Sequence, residues 1–372
     1  MPGRRRDSVA FTVVVGVLVL LGGLTMAVVI GLSGAPSSLA LAALLAARPG
    51  GPRGGCFMGL ARNAPAPRSL WGAGLRGGAC GAPAAALVFQ ALGMVGGASE
   101  ENSLAVVAPV TEELTKGAFL ILLLWWRRHE LDGVLDGIVY AGMVGIGFAF
   151  TENILYLAAS YDGGTDLGPG GTVALTATFV VRCLISPFAH PFFTAFIGIG
   201  VGLAISSRRT WVRVLAPLAG LALAIALHAA WNYSTLSGTS SFFLVYGTMM
   251  FPVFLGVAAF AIYRRRSERG LLAAALHDAA ERGLIPASDI PWLVDLRARR
   301  HSRLWAKRSG GPQAERAMRD YQAAAIELGY LHHRYLRGTA PSDFGDRGHD
   351  HVEAMRTIRP YISFPGQVVP TR

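Results

Sequence analysis

Long apolar segments separated by short polar ones dominate the first 263 residues of the chain. A helix needs roughly 20 mostly apolar residues to cross a bilayer. One segment, 37–47, is about half that length and is either a short span or one arm of a re-entrant hairpin. The predicted spans are 10–32, 37–47, 79–97, 104–126, 134–159, 176–205, 211–233 and 242–263. The pattern therefore predicts an all-α fold, a polytopic membrane helical bundle with about eight spans.

The composition agrees with a membrane setting. Hydrophobic residues make up 52% of the chain and charged residues only 15%, and the mean hydropathy is +0.42. An average soluble protein has about 25% charged residues. The formal net charge of +11 would suggest a nucleic-acid partner in a soluble protein. Because basic loops have a topological use in membrane proteins, no nucleic-acid partner is expected here.

Basic residues alternate between the two sides of the predicted bundle. The segments 98–103, 160–171 and 234–241 contain no Lys or Arg, whereas the intervening loops contain several Arg. Basic residues in short loops stay in the cytoplasm. The pattern predicts a multi-pass protein of the cell membrane with both termini in the cytoplasm. The first apolar run is too long for a cleavable signal peptide.

The polarity of the chain changes near residue 264, which predicts a transmembrane domain at 1–263 and a basic cytoplasmic C-terminal region at 264–372. This second region contains nineteen Arg or Lys and twelve Asp or Glu, a net charge of +7. We expect it to form amphipathic helices near the anionic inner leaflet of the bilayer. The last thirty or so residues are predicted to be loop. Four histidines of this region, His332, His333, His349 and His351, could suggest a metal site, but they have no Cys partners and are expected to be solvated.

Two pairs of glycines have the small-xxx-small spacing that lets membrane helices approach closely. They are Gly133 with Gly137 and Gly198 with Gly202. Such pairs predict tight helix packing rather than nucleotide binding, since no strand precedes the glycines.

Three glutamates and two histidines lie well inside the predicted spans, where ionisable groups are costly and indicate a functional site. They are Glu112, Glu113, Glu152, His190 and His228. At 1.5 Å rise per residue, the three glutamates all lie roughly 12 Å below the outer surface. His228 lies slightly shallower. His190 is deeper on a straight-helix count, but nearby prolines bend the axis. Four spans are therefore expected to bring these groups to one layer.

The segment Thr111–Lys116 places a lysine within reach of two glutamates on one helix. Lys116 lies four residues after Glu112 and three after Glu113, within reach of either. It can hold one glutamate ionised while the neighbour serves as general acid or base. An isolated buried Glu–Lys pair would more often only join two helices. Two carboxylates with one lysine leave a negative charge uncompensated, which weakens that interpretation.

Adding Glu152 gives a cluster of three carboxylates and one ammonium, a formal charge of −2. A buried charge of this size requires protons or a cation. Two histidines and one glutamate with an open fourth position form a known catalytic zinc set. Alternatively, protons balance the charge, and one glutamate activates water without metal. Asn232, four residues after His228, can add an amide donor that stabilises an oxyanion.

Four separated motifs within residues 104–232 resemble the PrsW family of intramembrane metalloproteases, in the wider group of CAAX prenyl endopeptidases and bacteriocin-processing proteins. The motifs are EELTK at 112–116, FAFTE at 148–152, AHPFFTAFIGIGVG from residue 189, and HAAWN at 228–232. The resemblance implies an intramembrane endopeptidase with a single-span membrane substrate, such as an anti-sigma factor cleaved at its first site outside the cytoplasm. It implies paired catalytic glutamates at Glu112 and Glu113, and catalytic or metal-binding roles for Glu152, His190 and His228, with Asn232 assisting.

Three functions are compatible with these residues. In an endopeptidase, Glu112 or Glu113 activates water, and Glu152, His190 and His228 bind zinc or orient the water and the scissile carbonyl. In a proton- or ion-coupled transporter, the same Glu and His residues form a relay. Inverted repeats would favour a transporter, and the sequence shows none. In a noncatalytic scaffold, the C-terminal region binds a cytoplasmic partner. The motifs favour the endopeptidase.

Overall fold

The computed structural model describes residues 9–32, 35–60, 68–126, 133–163 and 169–366. Within these ranges the chain forms helices and connecting turns and no β-strand, which confirms the all-α prediction. The described residues form two compact units, one reaching residue 261 and the other starting at residue 262. The division expected from the sequence, between residues 263 and 264, lies within the same continuous helix, Phe251–Glu281.

Ten helices are described in the first unit, the last of which continues into the second. They are α1 (Val9–Leu32), α2 (Pro36–Leu60), α3 (Arg68–Val95), α4 (Ala108–Trp126), α5 (Val134–Asp162), α6 (Thr172–Phe179), α7 (Ala189–Ser206), α8 (Thr210–Leu236), α9 (Thr239–Val245) and α10 (Phe251–Glu281). A short helical turn, Glu100–Asn102, and a π-helical turn, Ser103–Val107, precede α4. Two further π-helical turns, Val180–Ile185 and Tyr246–Met250, follow α6 and α9.

Six segments of the described chain are long and apolar enough to cross a membrane. They are Val13–Leu32, Gly72–Val95, Val134–Asp162, Thr172–Ser206, Thr210–Leu236 and Thr239–Glu281. The other two predicted spans differ from these in composition and length. Helix α4 carries three charged residues, and the apolar part of α2 covers only Pro36–Arg48. The count of eight spans therefore stays a prediction.

Helix α5 is the centre of this unit. In its most apolar window 94% of the residues are buried, compared with 17% in α1. Small residues allow this close packing. A Cβ atom on Gly137 would lie 2.0 Å from the carbonyl oxygen of Gly198 in α7, and one on Gly202 would lie 2.4 Å from Cα of Val134. The predicted close approach at these glycines is confirmed.

The predicted span 176–205 is interrupted before the site. The π-helical turn ends at Ile185, and α7 begins at Ala189. Pro187 lies in the break, where its ring and missing N–H oppose a continuous helix. His190 therefore lies in the first turn of α7. Gly145 allows α5 to pack closely against this turn, because a Cβ there would lie 2.7 Å from Cα of Pro191.

The second unit is helical and has its own apolar core. It contains the end of α10, α11 (Ile290–Val294), α12 (Leu296–Leu336) and α13 (Phe344–Ile358). Gly310 and Gly311 interrupt α12, and Gly311 has a φ of 72° that favours glycine. The prediction that the last thirty or so residues are loop is wrong, because α13 lies there. Val352 and Met355, one helical turn apart, belong to the core cluster of this unit.

Asp289 and His332 are buried polar residues of the second unit that have ionic partners. The Asp289 carboxylate accepts hydrogen bonds from Arg359 at 2.7 and 3.0 Å and from the Tyr321 hydroxyl at 2.6 Å. Burial and the neighbouring carboxylate raise the pKa of Tyr321, so its phenol is a neutral donor. The expected solvated setting is wrong for His332, which is buried and pairs with Asp278.

Candidate functional site

Ionisable side chains from α4, α5, α7 and α8 meet inside the first unit. Glu112 and Glu113 come from α4, His190 from α7 and His228 from α8, and all four side chains are buried. Glu152 of α5 contacts the same group through His190. The convergence expected from helix depth is therefore found in the structure.

Lys116 lies between the two glutamates of α4 and His190. Its Nζ atom is 2.8 Å from Oε1 of Glu113, 3.4 Å from Oε2 of Glu112 and 3.1 Å from Nδ1 of His190. The ammonium also lies 3.8 Å from the centre of the Phe148 ring, a cation–π contact. Lys116 is fully buried and contacts both glutamates, as the spacing predicts.

His228 is oriented by Glu113. Its Nδ1 atom lies 3.0 Å from Oε1 of Glu113, and its Nε2 atom lies 3.9 Å from Oε2 of Glu112. The Phe193 ring stacks on the imidazole with a centroid distance of 4.8 Å. When Nδ1 donates its proton to Glu113, Nε2 directs its lone pair toward Glu112.

His190 has a matching arrangement with Glu152. Its Nε2 atom lies 2.5 Å from Oε2 of Glu152, and its Nδ1 atom lies 4.0 Å from Oε2 of Glu112. Because the Lys116 ammonium can only donate, its contact with Nδ1 requires a lone pair there. The proton of His190 is then on Nε2, where it is donated to Glu152.

The group formed by Glu112, His190 and His228 fits a divalent metal. One donor atom from each lies within 4.8 Å of the others, and all three residues are buried. In metal sites a ligating histidine usually donates its second N–H to a carboxylate, and here Glu113 and Glu152 accept from the two imidazoles. Ligation by Nδ1 of His190 requires Lys116 to give up its contact there. No other such group of three occurs among the residues that the structure describes.

Glu152 lies outside this three-residue group, and its predicted role as a metal ligand stays a prediction. Arg182 contacts its Oε2 atom at 2.5 Å and donates to Oδ1 of Asn153 at 2.9 Å. Arg182 lies inside the predicted span 176–205, and its position in the sequence is compatible with pairing either with Glu101 or with the cluster. The structure pairs it with the cluster. The formal charge with neutral histidines is then −1 rather than −2. A cation remains favourable there.

Asn232 contacts the backbone near the start of α4. Its Nδ2 atom donates to the carbonyl oxygen of Leu104 at 2.9 Å, within the π-helical turn Ser103–Val107. This turn leads into the helix that carries both glutamates. The contact links α8 to that helix, and the role of Asn232 in oxyanion stabilisation stays a prediction.

Two residues of the site, Gln90 and Thr194, were not predicted from the sequence. Gln90 places Nε2 3.4 Å from Oε1 of Glu112, and Thr194 donates to Oε2 of Glu113 at 3.3 Å. Both had a signal in the sequence. Gln90 is the single amide in the apolar segment 79–97, and Thr194 lies four residues after His190, on the same helical face.

A small cavity of about 60 Å³ reaches His190. Polar lining groups include Asn153, Arg182 and Ser186, and Trp231 closes another side. A water needs about 10–15 Å³ of such space, so the volume is sufficient for a few waters. The cavity therefore provides polar space beside one imidazole of the cluster.

Comparison with known proteins gives consistent matches. The family model described as PrsW family intramembrane metalloprotease matches residues 66–257. The chain is 32% identical to "Protease PrsW" of Geobacillus kaustophilus over 135 residues, 35% of this chain and 52% of that protein. It is 29% identical to "Protease PrsW" of Oceanobacillus iheyensis over 154 residues, 41% of this chain and 63% of that protein. The chain thus aligns with about half to two thirds of these relatives. No solved structure matches it.

Proposed function

The chain belongs to the PrsW family of intramembrane metalloproteases, and on that premise we propose that it is an endopeptidase that hydrolyses a peptide bond of a membrane protein. The observation that carries this proposal is the buried Glu112, His190 and His228 group, in which a carboxylate backs each imidazole. The neighbouring cavity provides space for a few waters beside His190.

The residues of the cluster have distinct roles in this proposal. Glu112, His190 and His228 hold a divalent metal, and zinc is the candidate because two imidazoles and a carboxylate are a common catalytic zinc set. When bound, such a metal polarises a carbonyl and lowers the pKa of water. Glu113 and Glu152 orient the two imidazoles, and Lys116 limits the negative charge of the cluster.

A metal-free glutamate mechanism is the alternative within the same activity. In that case Glu112 takes the proton from water. Its contacts with Gln90 and Lys116 are both 3.4 Å, whereas Glu113 has contacts of 2.8 and 3.0 Å. Because its contacts are longer, the Glu112 carboxylate is bound less tightly by its neighbours and is the better candidate base.

The substrate we propose is a single-span membrane protein, with an anti-sigma factor as the finer candidate. The resemblance of the four motifs to the family supports this choice. The alternation of basic loops supports a cell-membrane location with cytoplasmic termini. Family membership does not favour the ion- or proton-coupled transporter.

The test uses the purified full chain in lipid nanodiscs and candidate single-span proteins as substrates. We expect His228→Ala and Glu112→Gln to reduce cleavage by about 10³-fold or more, because both remove a group that acts at the reacting atoms. Glu101→Gln, an exposed residue before the same helix, should retain activity. Loss of cleavage with a chelator, and recovery with zinc, would support the metal. Cleavage that resists chelation but requires Glu112 would support the metal-free mechanism, and equal cleavage by all variants would refute the proposal.

A further inference from the structure

An apolar pocket of about 250 Å³ adjoins the site. It lies between the helix break before α7 and the region where the π-helical turn Tyr246–Met250 meets α10. Its apolar lining includes Leu184, Phe188, Phe192, Met250, Phe251 and Phe254. The Phe254 ring contacts two of the other rings. Phe254 stacks on Phe188 at 5.5 Å and meets Phe192 edge-on at 6.1 Å.

This pocket and the polar cavity at His190 share a wall. Ser186, Pro187, Ala189 and Trp231 line both spaces. Ser186 and Pro187 lie in the helix break, and Ala189 is the first residue of α7, directly before His190. A group in the pocket therefore lies next to a group in the cavity, because the same four residues line both spaces.

We infer that this pocket binds a large apolar side chain of the substrate, from a residue close to the scissile bond, and so determines specificity. The inference rests on the proposed endopeptidase function. An apolar cavity of roughly 150 Å³ can hold benzene, so 250 Å³ is sufficient for a leucine or phenylalanine side chain. The ring contacts around Phe254 are of the kind that favour aromatic and branched aliphatic ligands.

A peptide fits the paired spaces better than a lipid does. A lipid acyl chain could fill the apolar pocket, but its polar ester and headgroup lie only at one end of the chain. The cavity with Asn153, Arg182 and His190 instead adjoins the wall of the pocket. A peptide presents a polar backbone amide directly beside each side chain. One residue of the substrate would thus satisfy both spaces, with its side chain in the pocket and its backbone near His190.

The experiment measures the cleavage profile of the full chain in nanodiscs. The probe is a library of synthetic single-span peptides with Ala, Leu, Phe or Trp at each position along the span, and mass spectrometry locates the cleaved bonds. We expect Leu or Phe at one fixed position from the bond to be preferred over Ala by at least about tenfold. Phe254→Ala widens the pocket and should shift the preference toward Trp by a similar factor.

Phe260→Ala is the matched control. Phe260 lies on the same helix, α10, is exposed, and does not line the pocket, so the variant should keep the wild-type profile. Met250→Ala is a second widening variant for use if Phe254→Ala does not fold. It should give the same shift toward Trp.

The outcomes separate this inference from the proposed function. Cleavage without a preferred side chain, or a Phe254→Ala and Met250→Ala profile equal to that of wild type, would overturn the pocket while the endopeptidase stands. A wild-type protein that cleaves no peptide would overturn both. A photoreactive amino acid at Leu184 should cross-link the peptide, and capture of lipid alone in excess peptide would assign the pocket to an acyl chain.

Discussion

The two units of the chain distribute their side chains in opposite ways. In the first, large apolar residues such as Leu20, Leu92 and Leu218 are more than half exposed, whereas Glu113 and Lys116 are fully buried. In the second, Leu276 and Phe364 are fully buried, and the charged ends of Arg282 and Lys307 are exposed. Exposing a leucine side chain costs little free energy in lipid, whereas it is unfavourable in water. The difference indicates that each unit is suited to a different solvent.

The two units also differ in how completely their buried carboxylates are neutralised. Asp289 in the second unit is satisfied by Arg359 and Tyr321, so its network is complete. In the first unit, three carboxylates share Lys116 and Arg182, and the cluster keeps a formal negative charge. A complete network stabilises packing. An incomplete one, beside a cavity, indicates a site where a cation or proton is needed.

Arg359→Ala should have the largest effect on stability, because it leaves Asp289 buried without its cationic partner. We expect a loss of about 3–5 kcal/mol in the second unit, measured by hydrogen exchange of α12 and α13 in the full chain. Arg319→Ala is the control, since Arg319 pairs with Glu315 at the surface and its side chain is 47% exposed. The loss in this control should be below about 1 kcal/mol. Equal losses would mean that the Asp289 network does not support packing.

Glu152→Gln should weaken metal binding, because His190 loses the carboxylate that accepts its Nε2 proton. A decrease of about 10–100-fold in zinc affinity is expected, measured by competition with a chromophoric chelator. Since this variant also leaves Arg182 without its charge partner, the double variant Glu152→Gln, Arg182→Gln should recover stability but not affinity. Recovery of both would show that Glu152 serves only to balance Arg182. Glu101→Gln should change neither.

Gly137→Ala should separate α5 from α7, because the added Cβ would meet the Gly198 carbonyl oxygen at 2.0 Å. Overpacking of this kind costs about 1–3 kcal/mol, measured by thermal unfolding of the purified protein in detergent. Gly256→Ala on α10 is the control, since a Cβ there meets nothing within 4 Å. It should be neutral or stabilising by up to about 1 kcal/mol. Equal melting temperatures for the two variants would contradict close packing at Gly137.

Much of the site was predictable because helix geometry fixes depth. The positions of Glu112, Glu113 and Glu152 relative to the ends of their apolar segments place them in one layer at 1.5 Å per residue. The contact of Lys116 with both glutamates follows from their spacing along α4. The hydrogen-bond partners of each imidazole nitrogen could not be predicted from the spacing along one helix. They depend on how α5, α7 and α8 are rotated about their axes, and on the break that places His190 at a helix start.

The sequence by itself determined the apolar helices, the ionisable residues within them and the close approach at Gly137 and Gly198. These properties depend on hydrophobic periodicity and on residue size, both of which are local. Only the tertiary structure decided that Glu113 and Glu152 orient different histidines, that Gln90 contacts Glu112, and that an apolar pocket adjoins the cavity. The formation of α13 also depends on tertiary structure, because this helix has only a short apolar stripe and is stable only when packed against a core built by other helices. Contacts between residues far apart in the chain are set by packing, which a local pattern does not encode.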